Sequence, residues 1–226
     1  MLATQIQRPI PKRLCHHTSL EAVKSILSDE DNQGICLRLV SNKCKNDDQE
    51  IKMGEYMLER IKEVIPPEVT ILHKLKGYND SASFSFMEGE TTIGMLKKYG
   101  HYRLEFNLNC CVDVGLFGGL VDCEYVPQNR LKDYANDYCM LMRNKLDEIK
   151  KYNKEDCISL ILASLDITSF IGYEMDVLAK VFSIKEVKWR EEKEWRLVNS
   201  LEDNKSNVCY TADAKPYINC TFLRVY

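Results

Sequence analysis

The chain has 226 residues, 45% hydrophobic and 29% charged, a globular composition that excludes a mostly disordered chain. Ten Gly and six Pro exclude collagen-like or linker-like sequence, and 31 Lys and Arg against 34 Asp and Glu give a net charge of −3, which argues against a dedicated binder of duplex DNA or polyphosphate. Ten Cys, none in a C-x-x-C pair, read as small buried hydrophobes of a reducing compartment; with no signal peptide before Leu14 and no apolar run near the roughly 18 residues of a membrane span, the expectation is a cytoplasmic chain away from membranes.

A short strand ending near Thr18 precedes a helix signalled at Ser19, with Leu20, Val23, Ile26 and Leu27 at helical spacing. Ile35, Leu37 and Leu39 alternate with Cys36 and Val40 as a strand, a polar loop covers Asn42 to Gln49, and a helix runs from Ile51 to Ile65 until Pro66-Pro67 stops it. Val69 to His73 and Ala82 to Phe86 read as strands, Thr91 to Lys98 as a short helix closed by Tyr99-Gly100, and Tyr102 to Leu108 as a half-buried strand. Gly118-Gly119 turns the chain into a strand over Leu120 to Val126, followed by helices over roughly 129 to 151 and 154 to 172. Strands return at Glu194 to Val198, Val208 to Thr211 and Ile218 to Tyr226. Without a regular βαβ alternation this is an α+β pattern with a mainly antiparallel sheet, read as a single domain over 1–226 with a helical insertion near 129–182.

Four clusters carry polar residues in places that suit chemistry. Cys15-His16-His17-Thr18-Ser19 lies at a strand-to-helix junction, where a helix N-terminus favours an anion; the plain alternative is that Thr18 and Ser19 only cap. Asn46-Asp47-Asp48-Gln49-Glu50 precedes a helix; it lacks the spacing of a calcium loop, and capping accounts for it as well. Ser81, Ser83 and Ser85 fall on one face of a strand and Ala82, Phe84 and Phe86 on the other, so the hydroxyls line either a cleft or solvent. Glu192 and Glu194 stand two apart in Trp189-Arg-Glu-Glu-Lys-Glu-Trp-Arg196; on an extended segment both carboxylates face one side, which shifts pKa values, or the run is a solvated strand start.

In order, His16-x-Thr18-Ser19, Asn46-Asp47-x-x-Glu50, Phe84-Ser85, Tyr99-Gly100 and Glu192-x-Glu194-Trp195-Arg196 resemble the pattern of a bacterial domain family of unknown function, over roughly residues 12 to 220. That family in turn looks like a distant relative of the ADP-ribosyltransferase fold, a split, mainly antiparallel sheet with flanking helices. The resemblance implies NAD as substrate, with Glu194, His16 and Glu192 as catalytic candidates and His17, Thr18, Ser19, Ser83, Ser85, Asn46, Asp47 and Tyr99 as candidates for binding it. It implies no metal. His17 stands where the family often has Tyr, which leaves open which of the two histidines faces the cleft.

Three functions follow as expectations. The first is an NAD-consuming ADP-ribosyltransferase-like enzyme, its target a protein, a nucleic acid or a small molecule. The second is a catalytically inert module of a defence or toxin-like system, binding a nucleotide or a partner in the same cleft. The third is a metal-dependent nuclease built on Asp47, Glu50, Glu192 and Glu194, which requires those carboxylates around one cation.

Overall fold

A computed structural model describes residues 11–27, 34–41, 44, 48–64, 81–107, 111–113, 120–152, 181–200, 208–210 and 216–224. The junction at Ser19 forms as expected between β1 (Arg13–Thr18) and α1 (Leu20–Leu27), with the Ser19 hydroxyl accepting the Ala22 N–H at 3.3 Å. β2 (Gly34–Ser41) buries Leu37 and Leu39 completely. α2 (Asp48–Val64) starts about a turn before Ile51, because carboxylates such as Glu50 suit the first turn of a helix dipole. β3 (Ser81–Met87) is followed by α3 (Ile93–Tyr99), whose N-cap Thr92 accepts the Met95 N–H at 3.2 Å.

β4 (Tyr102–Asn107) and β5 (Cys111–Asp113) come next. The strand expected over Leu120 to Val126 is two strands, β6 (Leu120–Asp122) and β7 (Glu124–Val126). They part at Cys123 because β6 pairs with β9 while β7 pairs in parallel with β8. α4 (Leu131–Tyr152) buries Ala135, Tyr138, Cys139 and Met142. β8 (Ile184–Glu186), which had no signal in the alternation, leads through a 3₁₀ segment (Val187–Glu192) to β9 (Glu194–Ser200). β10 (Val208–Tyr210) and β11 (Pro216–Arg224) end the described chain. The strand expected at 69–73, the helix at 154–172, and Asn46 and Asp47 lie outside the described residues.

The architecture is α+β and the sheet is mostly antiparallel. Among the described residues nine strands form one sheet on the path β10-β11-β2-β3-β1-β4, with β9 on the other edge of β3 and β6 beyond it. β9 pairs with β3 along its whole length, from Ser81↔Ser200 to Met87↔Glu194. The opposite edge of β3 is shared: β2 takes Ala82 and Ser83 at one end, and β1 takes Met87 at the other. Between them, over Phe84 to Phe86, the ladder opens.

Period two then sorts the two faces of the β3–β9 ladder. Ala82, Phe84, Phe86, Trp195 and Leu197 enter one apolar core with Leu14, Ile26, Leu37, Leu39 and Phe106. A second core joins α2, α4 and β8 through Met57, Ile61, Tyr138, Met142, Val181 and Ile184, and reaches β9 at Val198. Each fully buried large side chain contributes about 1.5–3 kcal/mol. Among the described residues no helix is long and apolar enough to cross a membrane.

Candidate functional site

The face of β3 and β9 opposite Trp195 is polar, and a cavity of about 690 Å³ opens on it. Ser83, Ser85, Glu194 and Arg196 line it from the ladder, His16 and His17 from β1, Tyr99 and Lys98 from α3, and Lys185, Trp189 and Glu192 from β8 and the 3₁₀ segment after it. Seven of the candidates named from sequence, His16, His17, Ser83, Ser85, Tyr99, Glu192 and Glu194, therefore border one space. Thr18 is buried in β1 and does not line it; Ser19 is exposed and caps α1. Asn46 and Asp47 lie outside the described residues.

Ser85 stands where the ladder opens, and it joins two candidates that are far apart in sequence. Its carbonyl accepts the His16 Nδ1–H at 2.8 Å, and its hydroxyl donates to Glu194 Oε1 at 2.5 Å. A carbonyl only accepts, so Nδ1 carries the proton and Nε2 is the acceptor nitrogen of the ring. Burial pulls the His16 pKa below 6.5, against the Ser85 hydrogen bond and with help from His17, so the imidazole is neutral near pH 7. His17 is 2% exposed, and a hydrogen bond of 3.2 Å joins its Nε2 to Thr91 Oγ1. Burial, then the nearby Arg103, lowers its pKa too. Both histidines border the cavity, and His16 is the one tied to the ladder.

The carboxylate pair meets by a route other than the extended segment expected from sequence. Glu192 ends the 3₁₀ segment, Lys193 takes a left-handed turn at φ 42°, and Glu194 opens β9. An alternating strand would set the two carboxylates side by side on one face; the turn brings them together across Lys185 instead. Lys185 Nζ donates to Glu192 Oε2 at 2.6 Å and to Glu194 Oε2. Glu192 Oε1 also accepts from Tyr99 Oη at 2.5 Å and Lys98 Nζ at 3.2 Å. Arg196 Nε donates to Glu194 Oε1 at 2.8 Å, its Nη1 to the Phe182 carbonyl at 2.7 Å, and its Nη2 pairs with Glu50 Oε2 at 2.8 Å. Glu50, Glu192, Glu194, Lys185 and Arg196 are all at least nine-tenths buried. Burial works against the Lys185 charge, but Glu194, then Glu192 and Glu50, outweigh it and raise its pKa. Burial, then the bond to Glu192, raises that of Tyr99, so its hydroxyl stays a donor.

Two features of the sequence pattern acquire physical causes. Trp195 is fully buried in the apolar core, while its neighbours Glu194 and Arg196 face the cavity; the run Glu-Trp-Arg is one strand serving two faces. Gly100 has φ 118°, and a Cβ there would lie 2.3 Å from the Thr18 carbonyl oxygen. Tyr99-Gly100 and Thr18-Ser19 are thus two sides of one contact. Trp189 lines the cavity, with Lys98 Nζ 3.4 Å from its ring centroid.

Lys185 and Arg196 were not among the candidates. Arg196 lay inside the quoted pattern, but Lys185 sits on a three-residue strand that alternation does not mark. Its signal, a lone Lys flanked by Ile184 and buried Ser183, becomes legible only with the fold. Among the cysteines, Cys44 lines the cavity, Cys15 donates to the Met87 carbonyl at 3.3 Å, and burial pushes the Cys123 thiol up to about 12, so Cys123 is not a nucleophile.

No family model, no curated protein and no solved structure matches the chain.

Proposed function

We propose that this cleft binds NAD and cleaves its nicotinamide–ribose bond in an ADP-ribosyltransferase-like reaction, passing the ADP-ribosyl group to a protein, nucleic acid or small-molecule acceptor. The observation that carries the reading is Ser85, which ties neutral His16 and the Glu194 carboxyl group to one strand at the mouth of one cavity. The opening of the ladder between β1 and β2 supports a split sheet. The cavity volume lies within the roughly 300–1,000 Å³ of ligand pockets. Arg38 and Lys98 line the same space, and their charges suit a diphosphate.

In this reading the C–N bond to nicotinamide breaks, its electron pair leaves with the nicotinamide, and positive charge develops on the ribose. Glu194, fixed and water-poor, stabilises that charge. His16 Nε2 accepts from a ribose hydroxyl; the acceptor's nucleophile forms the new bond to the ribose carbon that nicotinamide has left and releases its proton to bulk water. Glu192, held by Lys185, Tyr99 and Lys98, is a partner of the charge network more than a proton acceptor.

One observation favours a second reading, a binding module without turnover: every oxygen of Glu192 and Glu194 already accepts from a protein donor. The nuclease reading fits less well. Lys185 lies between Glu192 and Glu194, and Arg196 between Glu194 and Glu50, where a shared metal ion would have to sit. The test is nicotinamide release from labelled NAD, with binding measured in parallel. Release by the wild type that falls about 100- to 1,000-fold in Glu194→Gln with binding retained supports the enzyme. Binding without release supports the module, and absence of both overturns NAD as the ligand.

A further inference from the structure

Two buried carboxylates in contact with one cation pose a question of protonation. Glu192 and Glu194 come from different elements, are 6% and 3% exposed, and have Lys185 Nζ as their shared donor. Without that ammonium two like charges would stand together in a poorly solvated site, and one of them would take up a proton.

We propose that Lys185 is the positioning residue of the cleft, its ammonium holding Glu192 and Glu194 ionised and at a fixed spacing. Three observations converge on it. Lys185 is 6% exposed and belongs to β8, which pairs with β7 and not with β9, the strand that carries Glu194, while Glu192 closes the 3₁₀ segment that follows β8. It therefore ties the helical layer to the β9 end of the cleft. The remaining donors do not duplicate it. Arg196 reaches Glu194 but divides its bonds with Glu50 and the Phe182 carbonyl. Tyr99 and the half-exposed Lys98 reach Glu192 alone. Around Glu194, Tyr125 Oη accepts the backbone N–H at 2.7 Å, and the Cys123 N–H bonds the carbonyl at 2.9 Å; neither supplies charge. His16 faces the pair only through Ser85 and is neutral near pH 7.

The role deepens the reading of the cleft given above, and its decisive test is independent of that reading. Carboxyl resonances of carbon-13-labelled glutamate are followed with pH in the wild type, Lys185→Met, Lys185→Arg and Lys185→Met/Glu192→Gln. The wild-type curves set the reference. In Lys185→Met one carboxyl midpoint rises by about two pH units over the wild type, a new titration. Lys185→Arg, which keeps the charge, and the double variant, which removes one charge of each sign, are silent, staying on the wild-type curve.

A folded Lys185→Met without the new titration overturns the proposal. If that variant does not fold, the double variant decides. A folded, silent double variant supports charge balance; one equally unfolded makes the contribution packing and overturns it. In the activity arm, nicotinamide release by Lys185→Met falls about 100-fold in kcat with KM little changed, and its pH profile shifts with the new midpoint. A wild type inert toward NAD but showing the titration pattern sinks the NAD reading and leaves the role of Lys185 standing.

Discussion

The two faces of the β3–β9 ladder share one backbone and differ in almost everything else. On one, Phe84, Phe86, Trp195 and Leu197 pack into an apolar core, with aromatic rings 4.9 Å apart at Phe84 and Phe86. On the other, Ser83, Ser85, Glu194 and Arg196 meet Glu50, Lys185 and Glu192 around a cavity. Apolar burial stabilises in proportion to area, whereas desolvating ions costs about as much as their pairing returns, and buried ion pairs are often no better than hydrophobic residues of the same volume. Stability therefore accounts for the first face and does not account for the second. The polar face is a site that the apolar face holds in register.

Substitutions at adjacent residues of β9 separate the two contributions. Arg196→Met removes the cation shared by Glu194 and Glu50 and is expected to cost about 3–5 kcal/mol at neutral pH. Trp195→Ala opens a cavity in the apolar core and is expected to cost a similar 3–5 kcal/mol or so. The pH dependence distinguishes them. Protonation relieves the carboxylates that Arg196 leaves behind, so that loss shrinks between about pH 7.5 and 5.5, while the loss at Trp195 stays constant. Urea unfolding of both variants at the two pH values reads the difference. Equal, pH-independent losses would mean that the polar face is ordinary packing.

Gly100→Ala acts on the frame that joins the faces. Its φ of 118° with ψ of 164° lies in a region open almost only to glycine, and the added Cβ would strike the Thr18 carbonyl. The expected loss is about 3 kcal/mol. Because Lys98 and Tyr99 immediately precede this turn, the variant also loosens their bonds to Glu192. Thermal unfolding reads the first effect, and the near-ultraviolet signal of Tyr99 and Trp189 reads the second. A variant as stable as the wild type would show that α3 and β1 are not locked together there.

The sequence made some of this legible and hid the rest for definite reasons. Alternation in Ser81 to Phe86 placed the hydroxyls opposite the phenylalanines, and the ladder with β9 keeps that division. Helical spacing located α1 and α4 closely, α4 burying Ala135, Tyr138, Cys139 and Met142 along one side and α1 burying Ile26, while the Tyr99-Gly100 end marked α3. The division of Leu120 to Val126 was not visible, since it depends on β7 finding β8, a partner about 60 residues later with only three residues of its own. The convergence of Glu192 and Glu194 was foreseen through the wrong backbone: Lys193 in a left-handed conformation is uncommon for a non-glycine residue, and no local pattern announces it. Lys185 was hidden for a related reason, because a buried lysine is defined by its partners, and both partners lie on another strand or segment.

The smallest expected effect lies at His16, where the two faces touch. Its ring centroid is 4.3 Å from that of Phe84, and its Nδ1–H donates to the Ser85 carbonyl. Burial lowers the His16 pKa from 6.5, so below pH 6.5 the folded chain binds fewer protons than the unfolded one. Stability then falls as pH falls, and the fall stops once pH is beneath the lowered value. His16→Asn keeps an N–H donor for Ser85 and has nothing to titrate, so its unfolding free energy should decline less steeply between about pH 7 and 5. A residual slope should persist, because burial and Arg103 lower His17 in the same direction, and it should shrink further in His16→Asn/His17→Asn. The carboxylate contributions are common to all three proteins and cancel in the comparison. An unchanged slope in His16→Asn would mean that the imidazole is as protonated in the folded chain as in the unfolded one, and would remove neutral His16 from the site.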